Sequence, residues 1–195
     1  EKEWTRGGVA NVILDNLYAD QKAVPMIVVL PNGRASKDLT PRDPIPKQSP
    51  AFAAVEKGLL TDLIPFIEKN YATRTDRESR AVAGLSMGGG QALNFGLAHL
   101  DTFAWVGGFS SAPNTQKAEV LVKDPSDAAM KLKLLWLSCG DKDGLFRISR
   151  GFHEALEAKK VPHIWHIEPG GHDMDVWKND LCLFAQRLFR DEPLR

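Results

Sequence analysis

The chain has 195 residues, of which 43% are hydrophobic, and its 25 Lys plus Arg balance 25 Asp plus Glu. With no net charge and no like-charged block, nothing points to a nucleic-acid partner or an acidic tail. The longest apolar runs are too short to span a bilayer, no charged segment followed by an apolar one opens the chain as a signal peptide would, and Cys139 and Cys182 fall in no zinc-ligand spacing, so no membrane span and no metal are expected.

In chain order, Val9–Tyr18 places Val9, Val12, Ile13 and Leu17 at the three-to-four spacing of a helix with one apolar face. Met26–Leu30 is the first of five short apolar runs without polar alternation, the pattern of strands buried on both faces of a parallel sheet. Residues Pro31–Pro50, rich in Pro, Ser, Asp and Lys, form a loop at a strand's carboxyl end, where open α/β sheets place ligands. Phe52–Tyr71 resumes helical spacing through Leu59, Leu60, Leu63, Ile64 and Ile67, with Pro65 expected to kink it. Strand runs Arg80–Leu85, Phe103–Gly107, Leu134–Ser138 and His163–Ile167 then alternate with helical patterns Gly89–Leu100, Ser149–Lys160 and Val176–Phe189. This alternation predicts an α/β fold with right-handed crossovers, helices on both faces of a mostly parallel sheet, and one domain over residues 1–195. Both cysteines lie in apolar or amphipathic runs and are expected as small buried hydrophobes rather than a disulfide.

The chemistry concentrates at Gly84-Leu85-Ser86-Met87-Gly88, a G-x-S-x-G pattern placed between a strand run and a helix run. A chain that turns sharply there carries the serine at the apex, with glycines expected on both sides because side chains would collide with neighbouring backbone. A serine hydroxyl is a weak nucleophile and requires a base. Of five histidines, His99, His153, His163 and His166 lie in or beside helix and strand patterns, whereas His172 follows Pro169-Gly170-Gly171 in a loop past the last strand. Ser86 and His172 are therefore the candidate nucleophile and base. The orienting acid should lie after the preceding strand, where Asp141 and Asp143 compete and spacing does not choose. Asp173 adjoins the base and is expected in solvent or capping the next helix. An oxyanion donor is expected from the amide of Met87. The only glycine-rich stretch near the start, Trp4-Thr5-Arg6-Gly7-Gly8, follows no strand run, so a second donor has no assignment. The mechanism calls for no metal and no cofactor.

Several motifs together resemble one family. Arg77-Glu78-Ser79-Arg80-Ala81-Val82-Ala83-Gly84-Leu85-Ser86-Met87-Gly88-Gly89-Gly90-Gln91 is similar to the feruloyl esterase domains of xylan-degrading systems, members of carbohydrate esterase family one near the esterase D group. The similarity extends through Leu30-Pro31-Asn32, Ser111-Ala112-Pro113-Asn114, Cys139-Gly140-Asp141-Lys142-Asp143 and Gly170-Gly171-His172-Asp173-Met174-Asp175-Val176-Trp177-Lys178. The resemblance implies an α/β-hydrolase fold and hydrolysis of hydroxycinnamate or other acyl esters, on small molecules or on plant cell-wall polysaccharide, by a secreted protein. It implies Asp143 rather than Asp141 as the acid, and Trp177, beside the base, as a wall of the acyl pocket or an anchor of the last helix.

Relatives of this kind carry further strands ahead of the position of Glu1, ending in a His-Gly-rich oxyanion loop, so the chain is expected to be N-terminally truncated. The missing strand would lie between Met26–Leu30 and Arg80–Leu85. A partner segment or a second copy would then complete the sheet, or the two strands would pair directly. Two other functions compete with active ester hydrolysis: a domain that keeps the triad but serves binding or assembly, and an acyltransferase on the same fold. A second amide donor facing Ser86 separates the first from hydrolysis, and product analysis with a sugar acceptor separates the second.

Overall fold

A computed structural model describes residues 3–36, 38, 40 and 43–190, without the side chains of residues 45, 46 and 49. Four parallel strands, β1 (Ala81–Leu85), β2 (Trp105–Phe109), β3 (Leu134–Gly140) and β4 (Ile164–Glu168), pair in that order. The register sets Leu85 beside Phe109, Phe109 beside Ser138, and Gly140 beside Glu168, so all four strands end on one edge of the sheet. The helices in chain order are α1 (Ala10–Ala19), α2 (Ile45–Gly58), α3 (Ile64–Asn70), α4 (Ser86–Ala98), α5 (Ala118–Leu121), α6 (Pro125–Lys131), α7 (Phe146–Ala158) and α8 (Met174–Ala185).

Strand alternation sorts the core into two layers. Val106, Leu135 and Leu137 face one side and pack with Leu93 and Leu97 of α4, Leu121 of α5, and Phe152 and Leu156 of α7. Trp105, Phe109, Leu134 and Trp136 face the other and pack with Val176, Trp177 and Phe184 of α8. Outside α8, α1 buries Leu14 and Leu17 with Ala185. This is the expected α/β architecture, with helices on both faces of a parallel sheet. Both cysteines are free, and Cys139 is buried within β3.

One expected strand does not form. Met26–Leu30 adopts no regular element and pairs with no strand among the described residues, and the direct pairing with β1 does not occur. Met26 packs against the α8-side core, and its backbone exchanges hydrogen bonds with the Tyr18 hydroxyl. Beyond it, Ile27, Val28 and Val29 are 52%, 46% and 39% exposed. The apolar pattern is that of a strand; a strand also needs a neighbour within hydrogen-bonding reach, and among the described residues the second edge of β1 stays open rather than bonding to Met26–Leu30.

Other boundaries move. The loop expected over Pro31–Pro50 gives way to α2 from Ile45 onward, with Pro44 just before it and Pro46 in its first turn, where a missing amide costs nothing. Part of that loop, at residues 37, 39, 41 and 42, lies outside the described residues. The kink expected at Pro65 is a π-helical turn, Leu59–Leu63, which ends the first helical stretch so that Pro65 falls in the opening turn of α3. Helices α5 and α6 carry too few residues for a periodic signal; α6 is marked only by its start, where Asp124 accepts from the amides of Ser126 and Asp127 ahead of Pro125.

Candidate active site

Ser86 follows β1 directly and begins α4 with its backbone in the left-handed region, φ 51°. A non-glycine residue there costs on the order of 1–3 kcal/mol, and such strain gathers at functional sites. Gly84 is required: an added Cβ would lie 2.4 Å from the carbonyl of Gly88. Gly88 is not, because a Cβ there would meet nothing within 4 Å; only its backbone must lie close to Gly84. The expectation of steric need on both sides of the serine is thus corrected to one side.

Around Ser86 the sheet's carboxyl edge assembles three side chains from three loops. Ser86 Oγ lies 2.9 Å from His172 Nε2, and His172 Nδ1 lies 2.8 Å from Asp143 Oδ2. An ionised carboxylate only accepts, so Nδ1 carries the proton and donates to Asp143, which leaves Nε2 to accept from the Ser86 hydroxyl. The Asp143 side chain is fully buried, whereas the His172 side chain is 33% exposed. Burial pushes the Asp143 carboxyl up. The Leu145 amide donating at 2.7 Å, the His172 ring and the Ser110 hydroxyl outweigh it, and the acid stays below its ordinary range.

The competing carboxylates have other tasks. Asp141 accepts from the Gly170 amide at 2.8 Å and so ties the loop after β3 to the loop carrying His172. The same two loops are joined by Lys142 N–H to Gly170 O, and they pass so closely that a Cβ on Gly140 would lie 2.5 Å from Gly170 O. Asp173 caps α8, accepting from the amides of Asp175 and Val176. The remaining histidines are engaged elsewhere: His99 with Glu56, His153 with His163, and His166 with Glu168.

Met87 is the second residue of α4, so its amide is one of the four leading helix donors without an intrahelical acceptor, at the positive end of the helix dipole. Its carbonyl accepts from Asn114 Nδ2, and Ala112 N–H donates to Ser86 O, which fastens the loop after β2 to the serine turn. The stretch Trp4–Gly8 folds mostly as a π-helical turn, Glu3–Gly7, that sets Trp4 edge-on against Phe109 and Gly7 against Met174.

Trp177 is only 6% exposed and belongs to the α8-side core, with its ring perpendicular to His172 at a centroid distance of 4.8 Å. Of its two expected roles, burial favours the helix anchor, and the ring contact makes it a backing for the imidazole rather than the wall of an open pocket. Two further buried groups have acidities moved from their ordinary values. Cys139, its thiol pushed up to about 11 by burial and by the Asp143 charge, is no nucleophile. Asp180, on α8 and fully buried, has its carboxyl pushed up to about 7 by burial, and the Glu168 charge adds to the shift. A charged residue three positions after Trp177 and four before Phe184, on the apolar face of α8, was the available sign.

Among the described residues no three His, Cys, Asp or Glu side chains are grouped to hold a metal ion, and no helix is long and apolar enough to cross a membrane. The sequence matches the Esterase family over residues 2–187. It is 33% identical, across 97% of its length, to an endo-1,4-beta-xylanase/feruloyl esterase of Xylanibacter ruminicola, and spans a quarter of that protein. Among solved structures, a ferulic acid esterase of Anaeromyces mucronatus in complex with ferulic acid superposes with a TM-score of 0.79 at 26% identity, covering 89% of this chain and 69% of the other. A second ferulic acid esterase gives 0.78 at 28% identity, covering 95% and 78%. The strand order, the serine turn and this family match lead to one conclusion: the chain belongs to the Esterase family, with the α/β fold of the carbohydrate esterase family one feruloyl esterases.

Proposed function

We propose that the protein is a serine carboxylic ester hydrolase that works through Ser86, His172 and Asp143 and an acyl-enzyme intermediate. The observation that carries this reading is the unbroken hydrogen-bond chain from Ser86 Oγ through both ring nitrogens of His172 to Asp143. Ser86 Oγ attacks the ester carbonyl carbon while its proton passes to His172 Nε2. The carbonyl π electrons move to oxygen, and the amide of Met87 donates to the oxyanion. As the carbonyl reforms, the bond to the alcohol oxygen breaks and the imidazolium returns its proton to that oxygen. Water then attacks the acyl-serine with His172 as base, releasing the acid and restoring Ser86. Asp143 stays ionised throughout and holds Nδ1–H.

For substrate we assign hydroxycinnamate esters of plant cell-wall polysaccharide, and small aryl or alkyl esters of the same acids. The reading is supported by the relatives named as feruloyl or ferulic acid esterases. Such a polymer lies outside the cell, so the site of action we propose is extracellular. The test is hydrolysis of methyl ferulate beside p-nitrophenyl acetate by wild type and Ser86→Ala. Wild type should release ferulate, and the variant should lose about a million-fold in turnover with its circular dichroism unchanged. Activity of the variant within about tenfold of wild type would remove Ser86 from the mechanism. Release by wild type of acetate but not ferulate would keep the mechanism and discard the acyl assignment.

A further inference from the structure

The site holds a second serine in the same backbone state as Ser86. Ser110, one residue past β2, has φ 46° and is fully buried. Its amide donates to Ser138 O at 2.8 Å, continuing the β2–β3 ladder one step beyond Phe109 and bringing Ser110 beside Cys139 and Gly140. From Gly140 the chain turns back within three residues, Asp143 N–H donating to Gly140 O, so Asp143 returns to the end of β2. Among the described residues no well-aligned partner takes the Ser110 hydroxyl. Two acidic groups lie near enough to be stabilised by it, the Asp143 carboxyl and the Cys139 thiol.

The chemistry of those two groups decides between them. A neutral thiol is a weak acceptor, and Cys139 stays neutral. Asp143 is an ionised, buried carboxylate with two donors, the Leu145 amide on Oδ1 and His172 Nδ1 on Oδ2. A carboxylate has lone pairs for about four donors, and charge-assisted bonds are the strong ones. Of the two groups, the carboxylate is therefore the one a hydroxyl turning about its C–O bond would serve. The left-handed turn matters here: it is unfavourable for any side chain, and it places a buried hydroxyl at the end of the strand next to the acid's own.

We propose that Ser110 is a positioning residue for Asp143, setting its buried hydroxyl against the carboxylate that orients His172. This rests on the serine-hydrolase reading above. With the hydroxyl gone, the carboxylate keeps more of its charge for the imidazole, so the imidazolium is stabilised and the acid limb of the rate profile moves to higher pH.

The experiment compares Ser110→Ala and Ser110→Gly with wild type in the full chain. Ser110→Ala removes the hydroxyl and keeps the strain; Ser110→Gly removes both. Both should lower kcat/KM about tenfold with KM little changed. Both should also raise the pH of the acid limb and move the low-field proton resonance of His172 Nδ1–H. Unchanged profiles and resonance in both variants would overturn the proposal. So would a shift in Ser110→Ala that Ser110→Gly restores, since that outcome assigns the effect to the backbone. Failure of the hydrolase reading is a separate result: Ser86→Ala would keep activity, while the His172 resonance would still report whether Ser110 acts on Asp143.

Discussion

At the scale of single residues, two aspartates two positions apart have separable effects. Asp143 is buried and holds the imidazole, whereas Asp141 accepts one amide from the His172 loop and is exposed. Asp143→Asn replaces an acceptor-only group with one that can force the wrong tautomer on His172, so turnover should fall about ten-thousandfold. Asp141→Asn keeps a side-chain carbonyl for the Gly170 amide and should stay within about tenfold. Steady-state kinetics of the pair on methyl ferulate decide it; equal losses would show that Asp141 shares the imidazole. Asp180 gives a prediction about pH. Its folded carboxyl is pushed up to about 7 by burial, above the ordinary unfolded value near 4. Between those values the folded state holds more protons than the unfolded state, so stability falls as pH rises, by up to about 4 kcal/mol once pH exceeds 7. Melting temperature should therefore be higher at pH 5 than at pH 8, and Asp180→Asn should flatten that dependence. A wild-type melting temperature that rises over this range would refute it.

At the scale of elements, the serine turn is a close contact between a strand and the first turn of the helix it feeds. Gly84→Ala drives a methyl into the Gly88 backbone, and neither strand nor helix can retreat without breaking its hydrogen bonds. It should cost about 3 kcal/mol or more, seen as a large drop in melting temperature or as insoluble protein. Gly88→Ala puts the same methyl into open space inside α4, where alanine favours the helix by about 1 kcal/mol. Its melting temperature should equal or exceed that of wild type. The contrast was hidden in the G-x-S-x-G pattern, which treats the two glycines alike.

At the scale of the whole molecule, two open surfaces stand out among the described residues. Ile27, Val28 and Val29 are exposed in sequence, and among the described residues β1 is paired on one side only. Exposed apolar runs and open strand edges both favour association. Size-exclusion chromatography with light scattering should show a mass that rises with concentration. Val28→Lys should lower it without loss of melting temperature, because the side chain it replaces faces solvent. A constant monomer mass for wild type would show that this surface does not associate.

The sequence by itself determined the α/β class, the order of the four sheet strands' runs and the serine turn, and it singled out His172 among five histidines as the candidate base. These follow from local rules: apolar runs of strand length, helical spacing, and glycines where a chain must turn between them. Family resemblance, not spacing, selected Asp143 over Asp141. Only the tertiary structure set Asp143 against His172 and Asp141 against Gly170, because two residues on one loop are distinguished by where a second loop arrives. It also set the Trp177 ring perpendicular to His172 from the core, buried Ser110 one residue past β2, and left Met26–Leu30 without a strand partner. The last case gives the physical reason in general form. Apolarity along a segment is written in that segment, but the edge that would complete its hydrogen bonds belongs to a different part of the fold.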